Sequence, residues 1–314
     1  MAALRPPGPD DVVVVDLDAG ADALAARQRP ALDGPGLVLG LTQGATHPAP
    51  PICDLVLPHD APQVAAALAT AVAAPLATRA FVAHMRAASW STVAAGLTAE
   101  SAVYSTLQAG PEFAAWRAAH PARDRPKEGP PVALAREGAV LRITLDRPRV
   151  RNAVDTAMRD ALVDAFTLPA LDPSITEVHL CGAGDAFCAG GDLDEFGTFP
   201  DPATAHVVRL QQSVGRAIDA VAERVIAHLH GACVGSGIEL PAFAGRVRAA
   251  PDTQISLPEL SLGLIPGAGG TVSLTRRAGR HRTTRLALTG EVLDATTARD
   301  WGLVDEVGSL GSGP

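Results

Sequence analysis

Between Ala139 and Ala278 short apolar runs alternate with amphipathic stretches, and glycine-rich turns mark the passage from run to stretch. No other feature restricts the possible folds as strongly. Ala139–Leu145 (AVLRITL) alternates and is β-branched, which predicts a strand. Asp155–Phe166 (DTAMRDALVDAF) is amphipathic behind an acidic cap, which predicts a helix. Strands follow at Glu177–Cys181, Val225–Leu229 and about Arg246–Ala250, with helices at Ala205–Ala222, from about Gly237 and from Gly270. Strand and helix in strict alternation predict an α/β fold with crossover connections.

The 314 residues suffice for one large domain, or one domain plus an appendage. With 47% hydrophobic and 19% charged residues the chain is globular in composition. A net charge of −8 speaks against nucleic acid as a partner. No run is long and apolar enough to predict a membrane span, and the opening MAALRPPGPDD does not read as a signal peptide. Cys53, Cys181, Cys188 and Cys233 form no CxxC pair, so neither a zinc site nor a disulfide framework is expected. The expectation is a cytoplasmic chain with reduced thiols. Lys127 is its one lysine among 26 basic residues.

Pro121–Pro131 (PARDRPKEGPP) is the clearest linker. Ahead of it, Val12–Leu17 and Leu37–Leu41 suit buried strands. Gln63–His84 runs at helical spacing with a break at Pro75, and Ala99–Leu107 and Pro111–Ala119 read as further helices.

Three segments could carry chemistry. Gly182–Leu193 (GAGDAFCAGGDL) follows a strand and can aim backbone N–H groups at a polarised oxygen. Phe187 stands where a dinucleotide fingerprint needs its third glycine, so that reading fails, while a purely structural turn stays open. In His230–Leu240 (HGACVGSGIEL), Gly235-Ser236-Gly237 turns the chain into a helix whose first N–H groups are free to hold an oxyanion. Glu239 beside them is a candidate acid or base, or an ordinary first-turn acid compensating the helix dipole. In Gln254–Thr271 (QISLPELSLGLIPGAGGT), Glu259 stands among apolar neighbours whose burial would raise its pKa; the alternative is a surface loop glutamate. His228 and His230 flank a buried strand end and read as structural.

From Pro131 to Val307 these motifs, in order and spacing, resemble the crotonase (enoyl-CoA hydratase/isomerase) superfamily. The resemblance includes Arg147-Pro148 with Arg151-Asn152-Ala153, then AFCAGGDL, GSGIEL, LPELSLGLIPGAGGT, LTGE and WGLVDEV. It implies an α/β spiral core of ββα repeats with a helical cover and oligomerisation segment. It also implies hydration of a 2-enoyl-CoA thioester, with isomerisation, β-ketoacyl-CoA cleavage or a non-catalytic scaffold as alternatives. Carried over by position, Gly191 and Ser236 supply the oxyanion-hole N–H groups, although the family usually has glycine at Ser236. Glu239 and Glu259 become the acid/base pair, which would titrate as a coupled pair. Arg151, Ala153, Ala189, Gly190, Asp192, Leu193, Gly235, Pro258 and Gly267 fall where coenzyme A is held. Arg79 stands near a basic position of the family, with a solvated helix face as the other reading. No metal or redox cofactor is implied, and a homotrimer or hexamer is.

The first part resembles the family as well. Its C-terminal helices are expected after the GLVDEV motif, where only seven residues remain, yet Cys53–Asp60 (CDLVLPHD) and the stretches to EFAAWRAAH are similar to that region. The implied organisation is a degenerate remnant or appendage at 1–52, cover helices at 53–122, a linker at 123–131 and the core at 132–307. An alanine-rich stretch that matches many helices is the alternative.

Overall fold

The computed structural model describes residues 12–19, 36–44, 50–88, 90–123 and 129–309. The opening MAALRPPGPDD down to Asp11, the middle of the linker with Lys127, and residues 310–314 lie outside them.

The first part opens with a parallel sheet of β1 (Val12–Asp16), β2 (Leu37–Thr42) and β3 (Leu55–Pro58), β2 in the centre. Four helices follow: α1 (Pro62–Ala73), α2 (Pro75–Arg86), α3 (Val93–Gln108) and α4 (Pro111–Ala119). Pro75 ends α1 because the residue before a proline is driven out of helical conformation; Ala74 has φ −132° and ψ 65°, and the two helices bend by 112°. Helix α3 begins six residues earlier than its alanine pattern suggests, because Thr92 caps it by accepting the Ala95 N–H. The Glu112 carboxylate of α4 accepts the Leu76 and Ala77 N–H groups, closing the start of α2.

The second part contains β4 (Val132–Glu137), β5 (Val140–Leu145), α5 (Thr156–Leu171), β6 (Glu177–Gly182), α6 (Pro202–Gln211), α7 (Val214–Asp219), β7 (Val225–Leu229), β8 (Ala232–Val234) and α8 (Ser236–Glu239). It continues through β9 (Arg246–Ala249), β10 (Gln254–Ser256), α9 (Gly270–Ala278), α10 (Arg280–Thr289), β11 (Leu293–Asp294), α11 (Ala295–Asp300) and β12 (Glu306–Val307). One sheet has the order β12-β9-β7-β6-β5-β4, and a smaller one the order β11-β10-β8. β7–β8–α8 and β9–β10–α9 are successive turns of a spiral, each giving one strand to each sheet, as the ββα expectation required.

Two local readings need correction. The helix expected over Ala205–Ala222 is broken: Gln212 leaves helical geometry and Ser213 caps α7, its hydroxyl accepting the Arg216 N–H. Strand β4, at the start of the core, is not among the strands read from the sequence. Most of its residues are exposed, so its sequence lacks apolar alternation, and it is held as an antiparallel edge against β5.

One hydrophobic core joins the two parts: Leu37, Leu39, Phe81, Leu97, Tyr104 and Phe113 belong to the same buried cluster as Phe166, Phe187, Ile218 and Leu274. Burial of large side chains contributes about 1.5–3 kcal/mol each, so this shared core strongly favours the docked helices. Polar contacts tie the same seam. Asp54 takes two donors from Arg86 and the Val38 N–H, and the Arg280 guanidinium of α10 lies 3.7 Å from its carboxylate.

Candidate active site

Loops after β5, β6 and β8 meet the α9 turn and helix α3 around a cleft of about 210 Å³. Gly191, Asp192, Ser236, Glu239, Glu259 and Gly267 line it. Arg151, Leu193 and Pro258 sit at the surface, and with Ala153, Ala189, Gly190 and Gly235 they lie behind or beside the cleft wall. Arg79 does not line it.

The segment around Arg147 and Asn152 builds the first turn. Arg151 and Asn152 both have positive φ (50° and 55°), which turns the Asn152 side chain inward. Its amide donates to the carbonyls of Ala183, Ala186 and Phe187, and its oxygen accepts the Arg147 N–H. Arg147 in turn pairs Asp192 and Asp155, both at 3.2 Å. Asp192 is therefore a brace for the turn. The chain beside it is stitched by Ala189 N–H to Arg151 O, Val154 N–H to Gly190 O and Asp192 N–H to Val154 O. Among the described residues the Gly191 N–H has no protein acceptor, and Gly191 lines the cleft.

The second turn is set by Gly235, at φ 51° and ψ −120°. A Cβ there would stand 2.4 Å from a Glu259 oxygen, so only glycine fits between the carboxylates. The Ile238 and Glu239 N–H groups both bond back to Gly235 O, and the Ser236 N–H again has no protein acceptor among the described residues. Helix α8 is a single turn of four residues, continued by a tighter turn at Pro241–Phe243. Its macrodipole is correspondingly small, so the N–H groups themselves carry any anion binding, where the sequence suggested a helix dipole behind them.

Glu239 and Glu259 are 2% and 8% exposed. The reading of Glu259 as a surface glutamate is excluded. The two carboxylates differ in their partners. One Glu239 oxygen accepts the N–H groups of Ala268 and Gly270, both at 2.8 Å. Glu259 has a buried oxygen with no hydrogen-bond partner among the described residues. Burial raises the Glu239 carboxyl to about 7 against the pull of those two donors, and raises Glu259 well above the ordinary glutamate range, helped by the Glu239 charge. Donors favour the ionised form and their absence favours the acid, so of the two Glu239 ionises the more readily.

Sequence reading missed a third carboxylate. Glu100 of α3, 2% exposed, accepts the N–H groups of Gly269 and Thr271 and the Thr271 hydroxyl, at 2.7–2.9 Å. Burial and the Glu239 charge raise it to about 8. It holds, from the opposite side, the same turn that holds Glu239. Its one sequence signal was an acid in an alanine-rich helix, four residues before Tyr104 on a shared face. Tyr104, Leu97, Phe196, Phe199 and Arg209 also line the cleft and were not singled out. His228 is stacked on and bonded to His179, and His230 bonds to Gly184 O, so both do serve structure.

These titrations make stability depend on pH. Glu100 and Glu239 hold protons in the fold up to about 8 and about 7, while an unfolded glutamate loses its proton near 4.5. Their contribution is complete below that value and is lost as pH rises through 7 and 8. His84 and His228 are pushed down from 6.5 to about 4 by burial, so their contribution is complete above 6.5 and is lost on acidification. Between about pH 4.5 and 6.5 these opposing contributions offset each other, and above 6.5 only the glutamate loss remains, so thermal melts should show a falling Tm from about pH 6.5 to about pH 8.5. A Tm that rises over that interval would contradict these protonation states.

Residues 135–311 match the enoyl-CoA hydratase/isomerase family. The chain belongs to that family. It is 35% identical over 174 residues to a 2,3-dehydroadipyl-CoA hydratase of Escherichia coli, covering 55% of this chain and 68% of that one. An enoyl-CoA isomerase/hydratase of Mycosarcoma maydis is 36% identical over 190 residues, with coverage of 56% and 68%. Among solved structures, an enoyl-CoA hydratase of Thermoplasma volcanium superposes with a TM-score of 0.53 at 35% identity, covering 57% of this chain and 72% of that one. The enoyl-CoA hydratase/isomerase match thus lies almost wholly in the second part of the chain, and the fold is the crotonase fold.

Ser236 holds the position for which the resemblance implied a glycine. Its Oγ approaches no closer than 4.0 Å to the Cys188 sulfur. Ser236→Gly should therefore leave steady-state turnover within about threefold of wild type; a loss above tenfold, about 1.4 kcal/mol, would give the hydroxyl a part in the reaction.

Proposed function

We propose that the chain hydrates 2-enoyl-CoA thioesters to 3-hydroxyacyl-CoA. The observation that carries this reading is the asymmetric carboxylate pair, Glu239 held by two N–H donors and Glu259 with a free buried oxygen, in one cleft with two unengaged backbone N–H groups. The thioester oxygen is bound between the N–H groups of Gly191 and Ser236, which stabilise the enolate as charge develops there. Glu239 orients water and takes its proton as oxygen bonds to C3. Glu259 gives its proton to C2, and proton exchange with solvent restores the pair. The thioester is the electron sink, so this route draws on no metal or redox cofactor.

An isomerase needs only one proton-shuttling group, and the presence of two carboxylates favours hydration. In this reading α1–α4 take the place of the cover helices that the family carries after its core. Support comes from the shared hydrophobic core and from Leu97, Glu100 and Tyr104 in the cleft wall. Adding the protein to crotonyl-CoA should bleach the enone absorbance and yield 3-hydroxybutyryl-CoA. Conversion of a 3-enoyl-CoA to its 2-enoyl isomer with no water added would favour the isomerase instead.

A further inference from the structure

Resting on the reading that this cleft takes an acyl-CoA, we propose that Arg209 binds a carboxylate at the far end of the acyl chain, so that the substrates are thioesters of dicarboxylic acids. Arg209 projects from α6 into the same cleft as Glu239 and Glu259. Its guanidinium lies over the Tyr104 ring, 4.5 Å from the centroid. Its Nε donates to Ser101 Oγ at 3.1 Å and a terminal nitrogen donates to Ser105 Oγ. Every oxygen it meets is a neutral hydroxyl, and no carboxylate among the described residues lies within 4.0 Å of it.

The acids of the cleft are engaged elsewhere: Asp155 and Asp192 with Arg147, Glu195 with the Thr156 N–H and hydroxyl, Glu100 with the 269–271 turn. A second guanidinium, that of Arg159, lines the same cavity, its own partner being Asp160 beside it on α5. Burial lowers the Arg209 pKa, against the opposing pull of Tyr104 and Glu100, with a smaller push from the Arg159 charge. A desolvated guanidinium whose oxygen partners are hydroxyls alone is costly, and an anion that pairs with it in the cavity removes that cost. Its fork geometry suits a carboxylate held by two parallel hydrogen bonds.

Tyr104 joins this cation to the reaction centre. One side of its ring lies so close to Gly267, in the turn that holds Glu239, that a Cβ there would stand 2.5 Å away; Arg209 covers the ring at 4.5 Å. An acyl chain leaving the thioester therefore has an aromatic wall, then a cation.

Calorimetric binding of saturated, unreactive thioesters tests this: monocarboxylic and dicarboxylic acyl-CoA pairs of matched length, from butanoyl and succinyl to octanoyl and suberyl. At one or more lengths the wild-type protein should bind the dicarboxylic thioester about tenfold or more tightly than its partner, the scale of a charge-assisted pair. Arg209→Met should reduce that ratio below about threefold by weakening the dicarboxylic thioester; Arg209→Lys, which keeps the charge but not the fork, should fall between. Equal affinity at every length in the wild type overturns the proposal, whether or not the variants fold. Equal weakening of both thioesters by Arg209→Met also overturns it, since the guanidinium would then be reading coenzyme A phosphates. Hydration of 2-octenoyl-CoA and of its dicarboxylic counterpart 2-octenedioyl-CoA, followed alongside, separates the two readings. Turnover without the carboxylate preference leaves hydration standing and sinks this inference. The preference without turnover supports the inference and sinks hydration.

Discussion

Glu259→Gln and Glu239→Gln are each expected to lower the hydration of crotonyl-CoA about a hundredfold or more, the scale of positioned acid/base groups. The two losses have different causes. At position 259 the amide cannot release a proton to C2, and the free buried oxygen that marks this site becomes part of a group that does not titrate. At position 239 the amide oxygen can still accept the Ala268 and Gly270 N–H groups, which leaves the NH2 facing the cleft where a water must be deprotonated. Both substitutions remove a buried carboxyl whose ionisation the fold resists, so above pH 7 neither variant should melt below wild type. Loss of activity with an unchanged or higher Tm would separate chemistry from folding. Near wild-type turnover in either variant would remove that residue from the mechanism.

A fragment of residues 130–314 is expected to be insoluble or inactive. It would lose the Glu100 carboxylate from the Gly269 and Thr271 N–H groups, and each buried donor left unpaired costs about 1–3 kcal/mol. It would also lose Leu97 and Tyr104 from the cleft wall, and expose the apolar surface that Phe81, Leu97 and Phe113 cover, a patch beyond what a soluble monomer tolerates. Joining residues 53–122 after Val307 through a short linker should restore both properties, because a permuted chain keeps its contacts. A soluble and active fragment would show α1–α4 to be an independent appendage.

What the sequence disclosed and what it hid follow one physical division. Gly182–Leu193, Gly235–Glu239 and Glu259–Gly270 were legible because each functional group there is placed by its own turn: a glycine with positive φ, a free N–H, a glutamate next in the chain. Glu100, Tyr104 and Arg209 were not, because they come from ordinary helices and gain their meaning only when α3 and α6 close over the cleft. Glu100 meets the turn whose N–H groups it accepts 169 residues away, and no local pattern encodes such a pairing. The same holds for Asn152. Its motif was visible, but its work, holding three carbonyls of the following turn, appears only in three dimensions. The break between α6 and α7 was hidden because the residues around Gln212 and Ser213 continue a plausible helical pattern, while Ser213 caps the next helix.

Isotope labelling tests the central claim most directly, since hydration and isomerisation differ in whether solvent oxygen enters the product. Crotonyl-CoA incubated with the protein in H2(18)O should give 3-hydroxybutyryl-CoA carrying the heavy oxygen at C3, and in deuterated water a single solvent hydrogen fixed at C2. A recovered enoyl-CoA that has exchanged carbon-bound hydrogen with solvent but taken up no oxygen would contradict the account.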